Sequence, residues 1–450
     1  MRRQYPGQAE PEFTNVKSVI AFATDQIRPS LILLLIAAGV LFCIAAANVA
    51  SVLLARSVAR ARDTAVRVAL GAGLWQLGTQ YFLEGLLVSL AGTAAGSLLS
   101  YILVRVVLSL AADEIPRAES IAFNWQVLGF ALCLAVGCAL FCSLAPLWQA
   151  CRIAPNEVLS EGVRASAGAR SRKLLRIFVI AEVALAVALL SVGGVIVEHL
   201  RHLYQVSSGF DPNGLLITHL YAPEQKYKSD ADKQTYQTRL LRAIRSLPGV
   251  ENAGFTSLLP LEGWGNNTVI RREDQPPPKD WLQTESIEMR FVSPSYFETM
   301  HIPLMAGRLL TDADKEGPVM PLIINETLAK LNWPHENPVG SYVRIFAWND
   351  KRFQVVGVVG DTRNTGLYRP PRPEFDLSYR MVSPSDMTWA VRSSLPISVL
   401  TAEIRRAVRS VDPDQPIFDT RPMREIITNS LARQRLQSLM TGFFAASALL

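Results

Sequence analysis

Charge is scarce in this sequence: Asp, Glu, Lys and Arg supply 19% of its 450 residues, against 49% hydrophobic residues. That balance excludes a disordered chain and is too apolar for one soluble domain of this length. Cysteine is nearly as rare, and all five, Cys43, Cys133, Cys138, Cys142 and Cys151, lie in or beside long apolar runs. The polar region 201–435 has none, so a disulfide framework is excluded there and a hydrophobic core must hold it. Cys138 and Cys142 share a helix face, but without an accompanying His or carboxylate they read as small buried hydrophobes rather than metal ligands. The five histidines, His199, His202, His219, His301 and His335, lack metal-ligand spacing, and no Gly-x-Ser-x-Gly elbow accompanies them. His199 and His202 share one face and are placed at a membrane surface. No P-loop occurs anywhere, and Gly357-x-x-Gly360-Asp361 lacks the lysine and hydroxyl of one, reading instead as a strand entering a turn. The chain is therefore read as a non-enzyme, with no cofactor and no metal.

What the sequence has in quantity is long apolar stretches. Crossing a hydrocarbon core takes about 20 apolar residues, and Pro29–Leu54, Tyr81–Leu110, Ile121–Leu147 and Ile177–Val197 each supply them. A further apolar stretch, Leu439–Leu450, runs to the last residue given. Basic residues set the orientation. Arg56, Arg60, Arg62 and Arg67 crowd one short connection, and Arg152, Arg164, Arg170, Arg172, Lys173 and Arg176 crowd another. Between them, Asp113, Glu114 and Glu119 outnumber Arg117. The positive-inside rule puts both basic connections in the cytosol and region 201–435 outside. The same placement explains the net charge of +6 without a nucleic-acid partner.

The exported region alternates strand-like and helix-like stretches, a mixed α/β pattern. Strands are expected at Leu215–Leu220, Glu251–Ser257, Ser286–Val292, Val319–Asn325, Tyr342–Phe346 and Phe353–Val359. Helices are expected at Asp230–Leu247, after Pro294, after Asn325 and at Ile397–Val411, the last before the membrane. In Asp230–Leu247, Tyr236, Leu240, Ile244 and Leu247 form one face, and Pro248-Gly249 ends it. In Ile397–Val411 the stripe is Ile397, Leu400, Ile404, Ala407 and Val408, and Asp412-Pro413 ends it.

Inside the apolar runs, Gly92-Thr-Ala-Ala-Gly96 has the spacing that lets two helices approach closely, so Gly92 and Gly96 are expected at a helix contact, within this chain or with another. Glu84, Arg105 and Glu182 are charges in apolar helices, each near enough to an end to reach the interface by snorkelling. A proton relay is the alternative. Gln26-Ile27-Arg28-Pro29 and Arg433-Gln434-Arg435-Leu436 each lead into an apolar run, which suggests parts of two tandem units, or a chance likeness of two helix entries.

The first basic connection, Arg56 through Ala72, ends Arg60-x-x-Asp63-x-x-x-Arg67-x-Ala69-Leu70-Gly71-Ala72. This resembles the MacB/FtsX-like ABC permease superfamily, whose motif differs here by Asp63 in place of Glu. Cys151-Arg152-Ile153-Ala154-Pro155 with Val158-Leu159, and Phe210-Asp211-Pro212, are similar to that family's cytosolic exit and exported-domain entry. Tyr296-Phe297 to Ile302-Pro303-Leu304, Gly307-Arg308, Asn325, Trp333-Pro334, Pro338-Val339-Gly340 and Val355 to Asp361 resemble exported-domain signatures of its large tandem members.

The resemblance implies an α-helical transmembrane bundle plus a mixed α/β (α+β) extracytoplasmic domain of the MacB periplasmic core type. It divides the chain into the tail of a preceding exported domain at 1–28, three transmembrane helices in 29–147 with a coupling helix near 56–77, and a basic linker at 148–176. A transmembrane helix at 177–200, the exported domain at 201–435 and the start of a further helix at 436–450 complete it. The expected location is the bacterial inner membrane. The resemblance further implies that Arg60, Asp63, Arg67, Leu70, Gly71 and Ala72 contact a cytosolic ABC ATPase, with membrane lipids and a second permease half or periplasmic adaptor as further partners. Expected activities are efflux of macrolide- or peptide-like substrates and release of lipid-linked ones. A non-transporting sensor or scaffold for an envelope partner is the alternative.

Overall fold

In a computed structural model of the chain, the described residues are 28–60, 66, 67, 70, 73–111, 124–150, 164–263, 265–277, 284–348 and 351–449. They fall into two compact units, one of residues 1–198 with 437–450 and one of 199–436.

The first unit is helical. Its main elements are α1 (Arg28–Ala59), α2 (Leu74–Ala111), α3 (Trp125–Ala150) and α4 (Arg164–Gln205). Four stretches within them are long and apolar enough to cross a membrane: Leu31–Arg56, Trp75–Val106, Trp125–Leu144 and Arg176–Gln205. Their large side chains point outward. Leu35, Leu87, Phe130 and Val195 are among those exposed, as expected of helices solvated by lipid. Small residues make the contacts between helices. A Cβ added at Gly85 of α2 would sit 3.4 Å from the carbonyl of Ala139 on α3, so the two backbones nearly touch there. Ala50 and Leu53 of α1 pack with Cys142 of α3, whose Sγ lies 3.5 Å from the carbonyl of Ala46. Cys138 and Cys142 are thus packing residues, as the sequence suggested.

The second unit begins with β1 (Leu215–Tyr221), α5 (Asp230–Arg245), β2 (Val250–Thr256), β3 (Asn266–Thr268), β4 (Ile270–Arg272) and β5 (Ile287–Val292). It continues through α6 (Tyr296–Met300), β6 (Leu304–Gly307), β7 (Met320–Asn325), α7 (Glu326–Asn332), β8 (Tyr342–Ile345) and β9 (Lys351–Val359). β10 (Glu374–Ser378), β11 (Asp386–Ser393), α8 (Ile397–Val411), β12 (Phe418–Pro422) and α9 (Met423–Ser430) follow, and α10 (Ala432–Ser447) leads back to the first unit's residues. The strands form one mixed sheet of 12, ordered β12-β1-β11-β2-β5-β10-β7-β9-β8-β4, with β3 on β5 and β6 on β9. The pairs β5–β10 and β7–β9 are parallel, and the other pairings are antiparallel.

Alternation along the strands sends side chains to two cores. Leu216, Phe255, Phe291, Leu322, Phe375 and Trp389 face one layer with Leu240 and Ile244 of α5 and Leu400, Ile404 and Val408 of α8. Ile217, Val292, Ile323, Val359 and Ala390 face the other with Phe297 and Met300 of α6 and Met423 and Ile426 of α9. The start of α5 is fixed by a capping box: Ser229 accepts from the N–H of Asp232, whose carboxylate accepts from the N–H of Ser229. Its apolar face is the expected one, except that the helix ends before Leu247, which still packs on the core. On α8 the stripe is buried apart from Ile397, which is exposed.

All six expected strands are present. Six more were not expected, β10 and β11 among them at the centre of the sheet, and so was α9, which stands with β12 between α8 and the membrane-bound end.

Candidate functional site

The basic connection between α1 and α2 is built by helix-end chemistry. Gln76, third residue of α2, accepts from the N–H of Gly73, the side-chain return bond that starts a helix. The N–H of Leu70 donates to the carbonyl of Val66 at 3.0 Å, one turn of helical bonding within the segment. Its arginines turn back onto α2. Nη1 of Arg67 donates to the side-chain carbonyl of Gln80 at 2.8 Å. The amide of Gln80 donates at 3.3 Å to Oε1 of Glu84, one turn further along the same face. Nη1 of Arg60 donates to that same oxygen at 3.2 Å. Arg60, Glu84, Gln80 and Arg67 therefore form one hydrogen-bonded chain joining both ends of a basic segment to a single helix face. Apolar side chains lie next to it in the open, with Leu70 and Trp75 each 83% exposed.

Of the residues singled out in this segment, Arg60, Arg67 and Leu70 are described; Asp63, Gly71 and Ala72 lie outside the described residues. Gln80 carries no charge and no motif, so its bridging place could not be read from the sequence. Glu84 was flagged as an intramembrane charge, and its nearest cation is Arg60. Gly92 and Gly96 are not at a contact within the described residues, since no atom comes within 4 Å of a Cβ built on either. The close approach on α2 falls at Gly85 instead.

The second unit holds a buried charged cluster on the face of the sheet lined by α6. Glu288 and Arg290 of β5 lie beside Glu374 and Asp376 of β10, because the parallel register sets Glu374 opposite Glu288 and Asp376 opposite Arg290. Arg290 is 1% exposed and lies 3.3 Å from Glu374 and 3.6 Å from Glu288. Asn364 donates to both glutamates, at 2.7 Å to Glu288. Among the described residues Asp376 has no hydrogen-bond partner on either carboxylate oxygen. Burial, reinforced by Glu374, pushes its carboxyl well above the usual range. Burial likewise raises Glu374.

His219 sits 3.2 Å from Glu262, and that hydrogen bond raises its pKa. Among the described residues no group of three or more His, Cys, Asp or Glu side chains is arranged to hold a metal.

Comparison with known proteins agrees with this architecture. The family described as FtsX-like permease C-terminal matches residues 35–155, and the MacB-like periplasmic core domain matches 178–410. Among solved structures, the periplasmic region of MacB from Actinobacillus actinomycetemcomitans is 14% identical, with a TM-score of 0.33 over 49% of this chain and 93% of its own. The extracellular domain of the noncanonic ABC-type transporter YknZ from Gram-positive bacteria is 14% identical, with a TM-score of 0.31 over 45% of this chain and 100% of its own. No curated protein matches.

Apolar helices followed by an extracytoplasmic mixed α/β domain define a membrane-embedded permease subunit of the ABC-transporter class, which works with an ABC ATPase. The chain belongs to the MacB/FtsX-like permease family.

Proposed function

We propose that this chain carries ATP-driven motion from a cytosolic ABC ATPase, through the segment Arg60–Ala72, to the extracytoplasmic domain. The observation that supports this is the hydrogen-bonded chain Arg60–Glu84–Gln80–Arg67 beside exposed Leu70 and Trp75. A basic loop that only anchored topology would need charge alone. Here Arg60 and Arg67 are held on a helix face while Leu70 stays uncovered, the arrangement expected of a surface gripped by another protein. In this reading Asp63, Gly71 and Ala72 complete the contact, and Gly92 and Gly96 pack against a second permease half. The protein crosses the bacterial inner membrane several times, with basic linker 148–176 on cytosolic lipid headgroups. Its substrates are macrolide- or peptide-like or lipid-linked molecules, handled with a periplasmic adaptor.

The test is transport itself. The full chain, reconstituted in vesicles with a cognate ABC ATPase, should move such a substrate only when ATP is hydrolysed. ATP turnover with no substrate movement across the family's substrate classes would favour a sensor or scaffold.

A further inference from the structure

We propose that Gln80 and Glu84 are positioning residues that fasten the coupling segment to α2, so that force on the segment moves that helix rather than bending the loop; this rests on the coupling role proposed above. Glu84 lies inside an apolar span, Trp75–Val106, where an unpaired carboxylate is costly. Snorkelling alone would require only a route to the headgroups. Glu84 instead accepts two hydrogen bonds on one oxygen, one from Arg60 and one from Gln80. Gln80 uses both ends of its amide, donating to Glu84 and accepting from Arg67. The two arginines stand seven residues apart in the segment, while their anchors stand four apart on one helix face. A segment can transmit a push only when it cannot swivel about its attachments. Two points of attachment, about 6 Å apart along α2 at 1.5 Å per residue, remove that swivel.

The hydrogen bonds also assign different tasks. Glu84 supplies the negative charge that Arg60 meets, while Gln80 is a neutral bridge whose shape matters more than charge. Glu84→Gln should therefore weaken the Arg60 end, and Gln80→Leu should release the Arg67 end and one bond to Glu84. Neither substitution alters the exposed residues that would meet the ATPase.

The experiment uses the full chain in lipid vesicles, native cysteines replaced by alanine, with Leu70→Cys carrying a spin label. A second measurement follows ATP-driven displacement of the extracytoplasmic domain between paired fluorophores, alongside ATP hydrolysis and ATPase retention. The expected result is that Glu84→Gln and Gln80→Leu each free the label. They should lower displacement per ATP hydrolysed by roughly 2- to 30-fold, the range of 0.5–2 kcal/mol in coupling, while the ATPase stays attached. The double exchange Arg60→Glu with Glu84→Arg should restore a restrained label and part of the displacement, which a packing defect would not allow. An unchanged label in both single variants, or displacement per ATP that stays at the native value, overturns the proposal. Undiminished ATPase retention by Arg67→Glu would sink the coupling role instead, and the label would still decide whether Glu84 and Gln80 hold the segment.

Discussion

Nη1 of Arg67 donates to the side-chain carbonyl of Gln80 across 2.8 Å, so a residue of the basic segment is held against the second turn of α2. Arg67→Glu replaces this donor with an acceptor and turns a cation at the proposed ATPase contact into an anion. Loss of a partner from a partly desolvated pair typically costs about 2–5 kcal/mol, and copurification of the ATPase should fall accordingly. Insertion should persist, because Arg56, Arg60 and Arg62 keep the connection positive. Normal copurification together with full ATP-dependent activity would reduce this segment to a topological anchor.

Sidedness is tested by labelling intact cells. Lys173 of α4 and Lys228 before α5 are both exposed, so cysteine at either is open to reagent. A membrane-impermeant maleimide should modify Lys228→Cys and spare Lys173→Cys. Equal reaction at the two sites would refute the orientation.

The Asp376 cluster makes stability depend on pH in a direction opposite to that of most acids. Its folded pKa is raised above the ordinary 3.8, so the folded state holds a proton that the unfolded chain would release. The stability it contributes is complete below about pH 3.9 and is lost as pH rises through the folded value. Asp412 behaves the other way. Burial pushes it up, but hydrogen bonds from Lys226 and Tyr227 outweigh that and lower it, so its contribution is present above the ordinary value and lost as pH falls through the folded one. Asp376→Asn mimics the protonated acid. Thermal unfolding of this variant should show a higher midpoint than the native chain on the alkaline side and the same midpoint at acid pH. A variant curve parallel to the native one at every pH would rule out the proton on Asp376.

Trp389 is 1% exposed and stacks at a tilt 4.6 Å from Phe255, which in turn meets Tyr379 edge-on at 4.9 Å. Trp389→Ala should cost about 3–5 kcal/mol by opening a cavity at the centre of the sheet. The readout is the denaturation midpoint of the full chain in detergent. A loss under 1 kcal/mol, within the range for surface sites, would mean the site collapses around the gap.

What could be read from the sequence divides along physical lines. Apolar runs, basic connections and amphipathic helices give periodic or composition signals, and α5 and α8 were found close to their true bounds, while α1 ends five residues beyond, and α2 begins seven residues before, the apolar run that marks it. β10 was missed although Glu374-Phe-Asp376-Leu-Ser378 alternates polar with apolar residues, and that pattern would in any case have put one face in water, whereas both faces are buried here. Its charges are inward because Arg290, distant in the chain, and Asn364, ten residues upstream, lie beside them. β11 was missed although Ser383-Pro384-Ser385 and Ser394-Leu395-Pro396 bracket it, and its place between β1 and β2 is set by pairing rather than by any motif. In the basic segment the arginines were visible, but their hydrogen-bond anchors were not. Gln80 has no property that distinguishes it from any other glutamine in a helix until Arg67 and Glu84 are placed on either side of it.

β1 hydrogen-bonds to β12 and β11, and both partners come late in synthesis. The hydroxyls of Thr218 and Thr420 meet at 3.0 Å although 202 positions separate them. Until residue 386 has emerged, the first strand has no neighbour on either edge. The domain therefore cannot assemble outward from its beginning as it is delivered across the membrane. The strands from β2 to β10 can pair before then, but the closure of β1 on β11 comes last, and the long loop it spans makes that step slow and leaves an open strand for other chains to meet. With no cysteine in this region to hold a half-made form, β1 is the segment left bare whenever synthesis stops before β11.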